Sequence, residues 1–447
     1  MGLGQKIQQI GNPELIPMQN VFSMFCFFCF GLNFLVFYNA VVNIGDLLAL
    51  EFGDYELDFM STYPLFLNWF NFFFAFALVV LAIYVRRFPF NILIHVHFIL
   101  YIVLFAITPI ILNKVADDVT RFWVMIVITV CGGIPCQLSG GVITSLAGLF
   151  SSTHNTIYLV GSSAGGIIVS LLRIMSHRIF GDDKEHDYYL ALWVNIVIVV
   201  DAYILYFVLY YMLPFTRKVI KKTQGEEVEE DEVEMKPKKK YNKMSKSSSD
   251  DPFGVSSESS SSESEDESDD SLIGQIKRVF RKTWVQLLTC AIDYFWTFCV
   301  FAGIFLKIPY DESSMSIGTA QQITTFCFMG GDFLARILAL IPIPWNRWVV
   351  IVLAIARCLF YVVIFIFYYG VYTNPYLMFF VMVVFSTTHG LFASAAIGLC
   401  FQKALPKDMK MTANLCNLSL DLGLALGATG LFVLNLVLPS NQTEGSL

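Results

Sequence analysis

The chain has 447 residues, of which 56% are hydrophobic, 15% aromatic and 15% charged, with a formal net charge of −7. A soluble globular domain carries about 25% charged residues, so this composition excludes an ordinary soluble protein and places most of the chain in a bilayer.

The amino end carries Gly4, Lys6, Gln8 and Gln9, then Pro13 and Pro17, ahead of a span too long for the apolar core of a cleaved leader. The first helix is therefore expected to be kept. About 20 apolar residues suffice to cross a bilayer as a helix, because a helix satisfies its own backbone polar groups in lipid. Eleven such stretches occur, at roughly 20–46, 61–85, 90–112, 122–149, 154–176, 188–213, 284–308, 316–341, 347–370, 375–400 and 411–438. All ten cysteines fall inside these stretches, so no disulfide framework is expected. The Cys26-x-x-Cys29 spacing lies within an apolar span and reads as packing.

Between the sixth and seventh stretches the chain changes character. Residues 226–234 are acidic, 236–246 basic and 245–271 rich in serine with interleaved Asp and Glu. Such a segment cannot bury enough apolar surface to fold alone. The expected organisation is an amino-terminal bundle over 1–213, a disordered cytoplasmic loop over 214–283 and a carboxy-terminal bundle over 284–447, six helices and five. Ser262 and Ser264 have acidic residues three positions on and suit an acidophilic kinase. A solvated spacer without a switch fits the same composition.

With the amino end inside, 21 of the 29 Lys and Arg residues fall on inner loops, five on outer loops and three within spans. That asymmetry sets the amino end cytoplasmic, and an odd number of spans then sets the carboxyl end outside. Asn441-Gln442-Thr443 is a glycosylation sequon on the side this requires, although it lies very close to the membrane and the chain end. The plasma membrane is the default location.

A charge near the bilayer centre costs about 2.5–3.5 kcal/mol on the mildest scale, so intramembrane charges are functional candidates. They are Arg173, Asp201, Asp293, Asp332, Arg336, Arg357 and Asp421, joined by the neutral-capable His95, His97, His389 and Gln137. Asp332 and Arg336 are four apart and share a helix face, so they can pair. The pair either braces helices or presents a carboxylate and a guanidinium to a ligand with vicinal hydroxyls and ring nitrogens. Arg173, Arg357 and Asp201 read as structural, each neutralised elsewhere or snorkelling. His95 and His97 are two apart and do not share a face, so they form no metal pair. Gly161-x-x-x-Gly165-Gly166 and Gly423-x-x-x-Gly427 with Gly430 read as helix-packing faces.

Five motifs in order resemble those of the equilibrative nucleoside transporters. They are Gly31-Leu32-Asn33-Phe34-Leu35-Val36-Phe37-Tyr38-Asn39, where Phe37 replaces the family's proline; Ser145-Leu146-Ala147-Gly148; Gly161-Ser162-Ser163-Ala164-Gly165 running to Ser170-Leu171-Leu172-Arg173-Ile174; Asp332-x-x-x-Arg336; and Leu422-Gly423-Leu424-Ala425-Leu426-Gly427. The likeness covers nearly the whole chain outside the long loop. Two features depart from the family pattern. Its fourth-helix glutamine usually falls near Gly140, whereas Gln137 stands about one turn earlier. Asp421 occupies a position that is commonly uncharged, which opens a proton-linked or cation-tolerant variant.

The resemblance implies a major-facilitator-like fold of two bundles around a central cavity, moving nucleosides and also nucleobases by alternating access. It implies Asp332 as acceptor for ribose hydroxyls, Arg336 as donor to sugar or base, Tyr38 as an aromatic face and Gln137 as an amide edge for the base, with Asn39 and Leu424 as further contacts. Asp421 and Asp293 are candidates for proton or cation coupling. No cofactor, metal or nucleic-acid partner is expected, and with no paired catalytic box or phosphate loop the chain is not read as an enzyme. Rival readings are an organic-cation carrier, with Asp421 and Asp293 supplying a negative cavity, and a membrane receptor without flux.

Overall fold

In a computed structural model the chain is all-helical. The structure describes residues 11–438 apart from 13, 53–56, 85–89, 181–182, 224–271, 302, 312–314, 342 and 406–407. Ser262, Ser264 and Asn441 lie outside the described residues.

The first expected span is two helices, α1 (Pro17–Leu32) and α2 (Val36–Asn43), bent by 42°. No proline causes the break. Asn33 caps it by donating from Nδ2 to the Cys29 carbonyl (3.0 Å), and the Tyr101 hydroxyl donates to the Phe34 carbonyl (3.0 Å). Backbone groups freed inside a membrane are thus satisfied by side chains, the condition under which irregular backbone is tolerated there. A short α3 (Gly45–Glu51) follows, then α4 (Phe59–Tyr84) and α5 (Phe90–Lys114).

The fourth span is composite: α6 (Asp118–Cys131), α7 (Gly133–Leu138), a π-helical turn (Ser139–Ile143) and α8 (Thr144–Phe150). A π turn inserts one residue into the helical register and re-aims the side chains around it. Here the Ser139 and Tyr158 hydroxyls bond at 2.9 Å, and Ser145 Oγ donates to the Gly141 carbonyl at 2.5 Å. Next come α9 (Ser152–Phe180), α10 (Lys184–Met212) and α11 (Pro214–Thr223). Beyond the undescribed 224–271 lie α12 (Leu272–Phe298), α13 (Ile317–Leu338), α14 (Arg347–Ala356), a 3₁₀ turn Arg357–Leu359, α15 (Phe360–Tyr368), α16 (Pro375–Lys403) and α17 (Met409–Val437). Side-chain N-caps at Asp117, Asp183, Ser316, Asn346 and Asn374 mark where α6, α10, α13, α14 and α16 begin.

Eight helical segments among the described residues are long and apolar enough to cross a membrane, and the bent α1–α2 pair makes nine. Two of the eleven expected stretches fall below that test because of polar side chains. α12 carries Lys277, Arg278, Arg281 and Lys282 in its first half, and α13 carries Gln321, Gln322, Asp332 and Arg336. α12 also corrects an expected boundary, since it begins at Leu272 rather than near 284 and ends at Phe298 rather than near 308. With α11 it makes both described flanks of the loop 214–283 helical rather than disordered. The early start is anchored by Arg278, whose Nε and Nη2 donate to Asp408 (2.8 and 2.7 Å) just before α17.

The glycine faces are packing faces. A Cβ on Gly161 or Gly165 of α9 would strike the carbonyl oxygens of Phe28 and Leu32 on α1, and one on Gly423 of α17 would strike that of Ala291 on α12. Only a hydrogen in place of the side chain lets these backbones touch. α13 packs on α16 and α12 on α17, while α9 against α13 and α4 against α17 join the two halves of the chain.

Candidate functional site

Where α9 meets α13, both sides of a polar contact come from different halves of the chain. The i, i+4 spacing on α13 sets Arg336 Nε 3.3 Å from Asp332 Oδ1 and 3.1 Å from Oδ2, and Ser163 Oγ of α9 donates to Oδ2. Asp332 is 9% exposed and Arg336 7%, and both face a cavity of about 80 Å³. Eight of the other lining residues are Phe or Tyr, Tyr38, Tyr294, Phe298 and Phe328 among them. The cavity is small beside the roughly 300–1,000 Å³ of ordinary ligand pockets.

Of the sequence candidates, Asp332, Arg336, Tyr38, Asn39, Leu424 and Asp421 line this one cavity. Gln137 does not. It sits behind Asp421, where Gln137 Nε2 donates to Asp421 Oδ1 (2.9 Å) and Asn417 Nδ2 donates to both Asp421 Oδ2 (3.2 Å) and Gln137 Oε1 (2.9 Å). The same network explains the departure at Gly140, because the Asn417 amide oxygen occupies the space a Cβ there would need. Asp421 is 1% exposed and its carboxylate meets only amides; no ion pair joins it to a cation among the described residues.

Asp293 is not brought to the cavity either. It is fully buried on α12, with Oδ1 2.5 Å from Arg357 Nη1, which also donates to the Asp293 carbonyl (3.0 Å). Its Oδ2 lies 2.7 Å from His389 Nδ1. A carboxylate matched by a guanidinium leaves no negative charge for a cationic cargo, which corrects the expectation that Asp293 lends the cavity charge. Arg357 is thus neutralised by Asp293, and Arg173 by Asp187 (2.9 and 2.7 Å). His95 bonds Tyr203 and His97 the Pro135 carbonyl, so they serve separate helices. Asp201 is exposed on α10.

Sequence reasoning named His389 only as an intramembrane polar candidate, and missed Ser163 and Asn417 as members of the site. Ser163 stood inside a motif read as packing. Asn417 lies four residues before Asp421 and shares its face, a signal of the kind that revealed Asp332 with Arg336.

The fold and site together define a polytopic helical membrane protein of the major facilitator architecture. Among solved structures, the major facilitator superfamily proton:xylose symporter XylE bound to 6-bromo-6-deoxy-D-glucose aligns with a TM-score of 0.54 at 9% identity, over 93% of this chain and 88% of that one. A partially occluded inward-open form of XylE from E. coli aligns with a TM-score of 0.52 at 10% identity, over 94% and 99%. At such identities the likeness is one of fold. The nucleoside transporter family profile matches residues 124–436, about seven-tenths of the chain, and the chain belongs to the equilibrative nucleoside transporter family. Equilibrative nucleoside transporter 4 of Danio rerio is 25% identical over 158 residues, 34% of this chain and 29% of that protein, so the match spans less than a third of the relative's length.

Proposed function

We propose that the chain carries nucleosides across a membrane by alternating access, with the Asp332–Arg336 pair as the sugar-reading centre. One observation supports this above the others: a buried carboxylate, held from two halves of the chain by Ser163 and Arg336, opens onto an aromatic-lined cavity. A carboxylate so held keeps lone pairs free for hydroxyl donors, and hydrogen bonds to charged groups contribute about 1.5–3 kcal/mol. Aromatic walls suit the faces of a base. Because the site straddles the interface of residues 1–213 with 284–447, rocking one bundle on the other would expose it to each side in turn.

Uptake of labelled adenosine and uridine into proteoliposomes tests the reading. Saturable uptake above protein-free vesicles is expected, and its absence with correctly inserted protein overturns transport. The proposal includes an internal amino end, an external carboxyl end and residence in the plasma membrane. Tags at residues 230 and 446 should be protected and accessible, respectively, in intact cells. Nucleobases are included as cargo, and Ser262 and Ser264 as kinase acceptors.

A second element rests on Asp421. A cavity carboxylate with amide partners and no counter-cation among the described residues is suited to binding a proton or a cation during the cycle. The organic-cation alternative rests on this residue alone, and competition between labelled adenosine and a quaternary amine separates the two cargos.

A further inference from the structure

His389 lies on α16 at the cavity wall, 4% exposed, and its surroundings fix which nitrogen carries the proton. Nδ1 faces two acceptors. Asp293 Oδ2, 2.7 Å away, belongs to a carboxylate paired with Arg357. Thr297 Oγ1, 3.1 Å away, has given its only hydrogen to the Asp293 carbonyl (2.9 Å) and can only accept. A hydrogen must therefore sit on Nδ1, and Nε2 is the nitrogen left to the cavity side, an acceptor in the Nδ1–H tautomer.

No group among the described residues bonds Nε2. The ring is held edge-on to Tyr294 (centroids 4.8 Å apart) and near-parallel to Phe328 (6.4 Å), two further members of the cavity wall. The next residue, Gly390, packs directly on Asp332 Oδ1, so the imidazole and the carboxylate are neighbours on one wall. The charged and titratable groups around the ring are Asp293 and Tyr294 of α12, Arg357 beside it, and Asp332 and Arg336 of α13. An acceptor on the cavity lining with no protein donor is free to take one from a ligand.

We propose that His389 is a specificity-determining residue of this site: its Nε2 accepts a hydrogen bond from a hydroxyl of the cargo sugar, beside the hydroxyl taken by Asp332. Asp293 and Arg357 are then positioning residues, acting through the imidazole. This inference rests on the nucleoside reading above and adds a second hydroxyl acceptor to it.

The test uses full-length protein in proteoliposomes, with inhibition of labelled adenosine uptake by adenosine and its 2′-, 3′- and 5′-deoxy analogues. His389→Asn keeps a donor where Nδ1 stood and removes Nε2; His389→Gln places an amide oxygen near Nε2. In His389→Asn the inhibition constant of adenosine should rise about tenfold, the worth of one such hydrogen bond. The analogue lacking the hydroxyl read by Nε2 should change less than twofold, and His389→Gln should recover part of the adenosine affinity. A parallel rise for all four ligands in both variants, or no change for any, overturns the proposal and leaves His389 a wall residue. If wild-type protein takes up no nucleoside, the transport reading falls and this one with it; if Asp332→Asn discriminates among the analogues while His389→Asn does not, only this one falls.

Discussion

Two buried aspartates on neighbouring helices, Asp293 of α12 and Asp421 of α17, share a membrane interior but not an electrostatic setting. Asp293 has a guanidinium at 2.5 Å and an imidazole at 2.7 Å, and it is fully buried away from the cavity lining. Asp421 has only the amides of Gln137 and Asn417 and opens onto the cavity. Asp332 is intermediate, paired with Arg336 yet still at the cavity surface. Charge compensation orders the three: a full partner set makes an aspartate a structural brace, a partial set leaves it capacity for ligand, and no cation at all leaves its charge to something that comes and goes.

The largest effect should come from breaking the brace. Arg357→Ala strands the Asp293 carboxylate in low dielectric and should destabilise the protein by about 3–5 kcal/mol, read as loss of monodisperse protein and a lowered melting temperature in detergent. The double variant Arg357→Met with Asp293→Leu removes both charges and should recover most of that stability. Failure of the double variant to do better than the single one would mean that the pair does not act as a compensated unit.

Asp332→Asn should give an intermediate effect, on binding rather than folding. It keeps the shape and one acceptor but weakens charge-assisted hydrogen bonds, so affinity for ribosides should fall by about 1.5–3 kcal/mol more than affinity for 2′,3′-dideoxy analogues. Equal losses for both ligand classes, in protein that melts like wild type, would move Asp332 from the ligand to the brace. Exchanging the pair, Asp332→Arg with Arg336→Asp, separates the same readings, because a brace survives reversal and a sugar site does not.

How much of this was legible in the sequence depended on range. Asp332 with Arg336 was readable because four residues on a helix are one face, and the spans were readable because apolar length is set by bilayer thickness. Contacts between distant helices left no such trace: Asp293 is 64 residues from Arg357 and 96 from His389, and Gln137 is 284 from Asp421. Arg357 and His389 were each visible as intramembrane polar residues, but nothing local joined either to Asp293. The start of α12 was hidden for another reason. Its first turns are basic, so a search for apolar runs passes over them although Val279 and Thr283 are buried. The bend after Leu32 was hidden because it carries no proline, the usual mark of a broken helix, whereas the π turn at Ser139 was marked by Pro135 four residues earlier and by its Ser-Gly-Gly run, which a search for apolar runs passes over.

The smallest effect on stability, and the sharpest on coupling, is expected at Asp421. Asparagine at this position keeps an acceptor toward Gln137 and removes a carboxylate that no cation among the described residues pairs with, so Asp421→Asn should change stability by no more than about 1 kcal/mol, in contrast to Arg357→Ala. What it should remove is the response to a proton gradient. With an inward gradient imposed on proteoliposomes, wild-type uptake should rise above the equilibrated level, and the variant should lose that increment while its nucleoside exchange at equal pH persists. A wild-type protein indifferent to the gradient would end the coupling proposal, and competition by a quaternary amine that disappears in Asp421→Asn would then identify the carboxylate as a cation-attracting group. If Asp421→Asn instead proved as damaging to folding as Arg357→Ala, the uncompensated carboxylate would be a brace after all, held by its two amides.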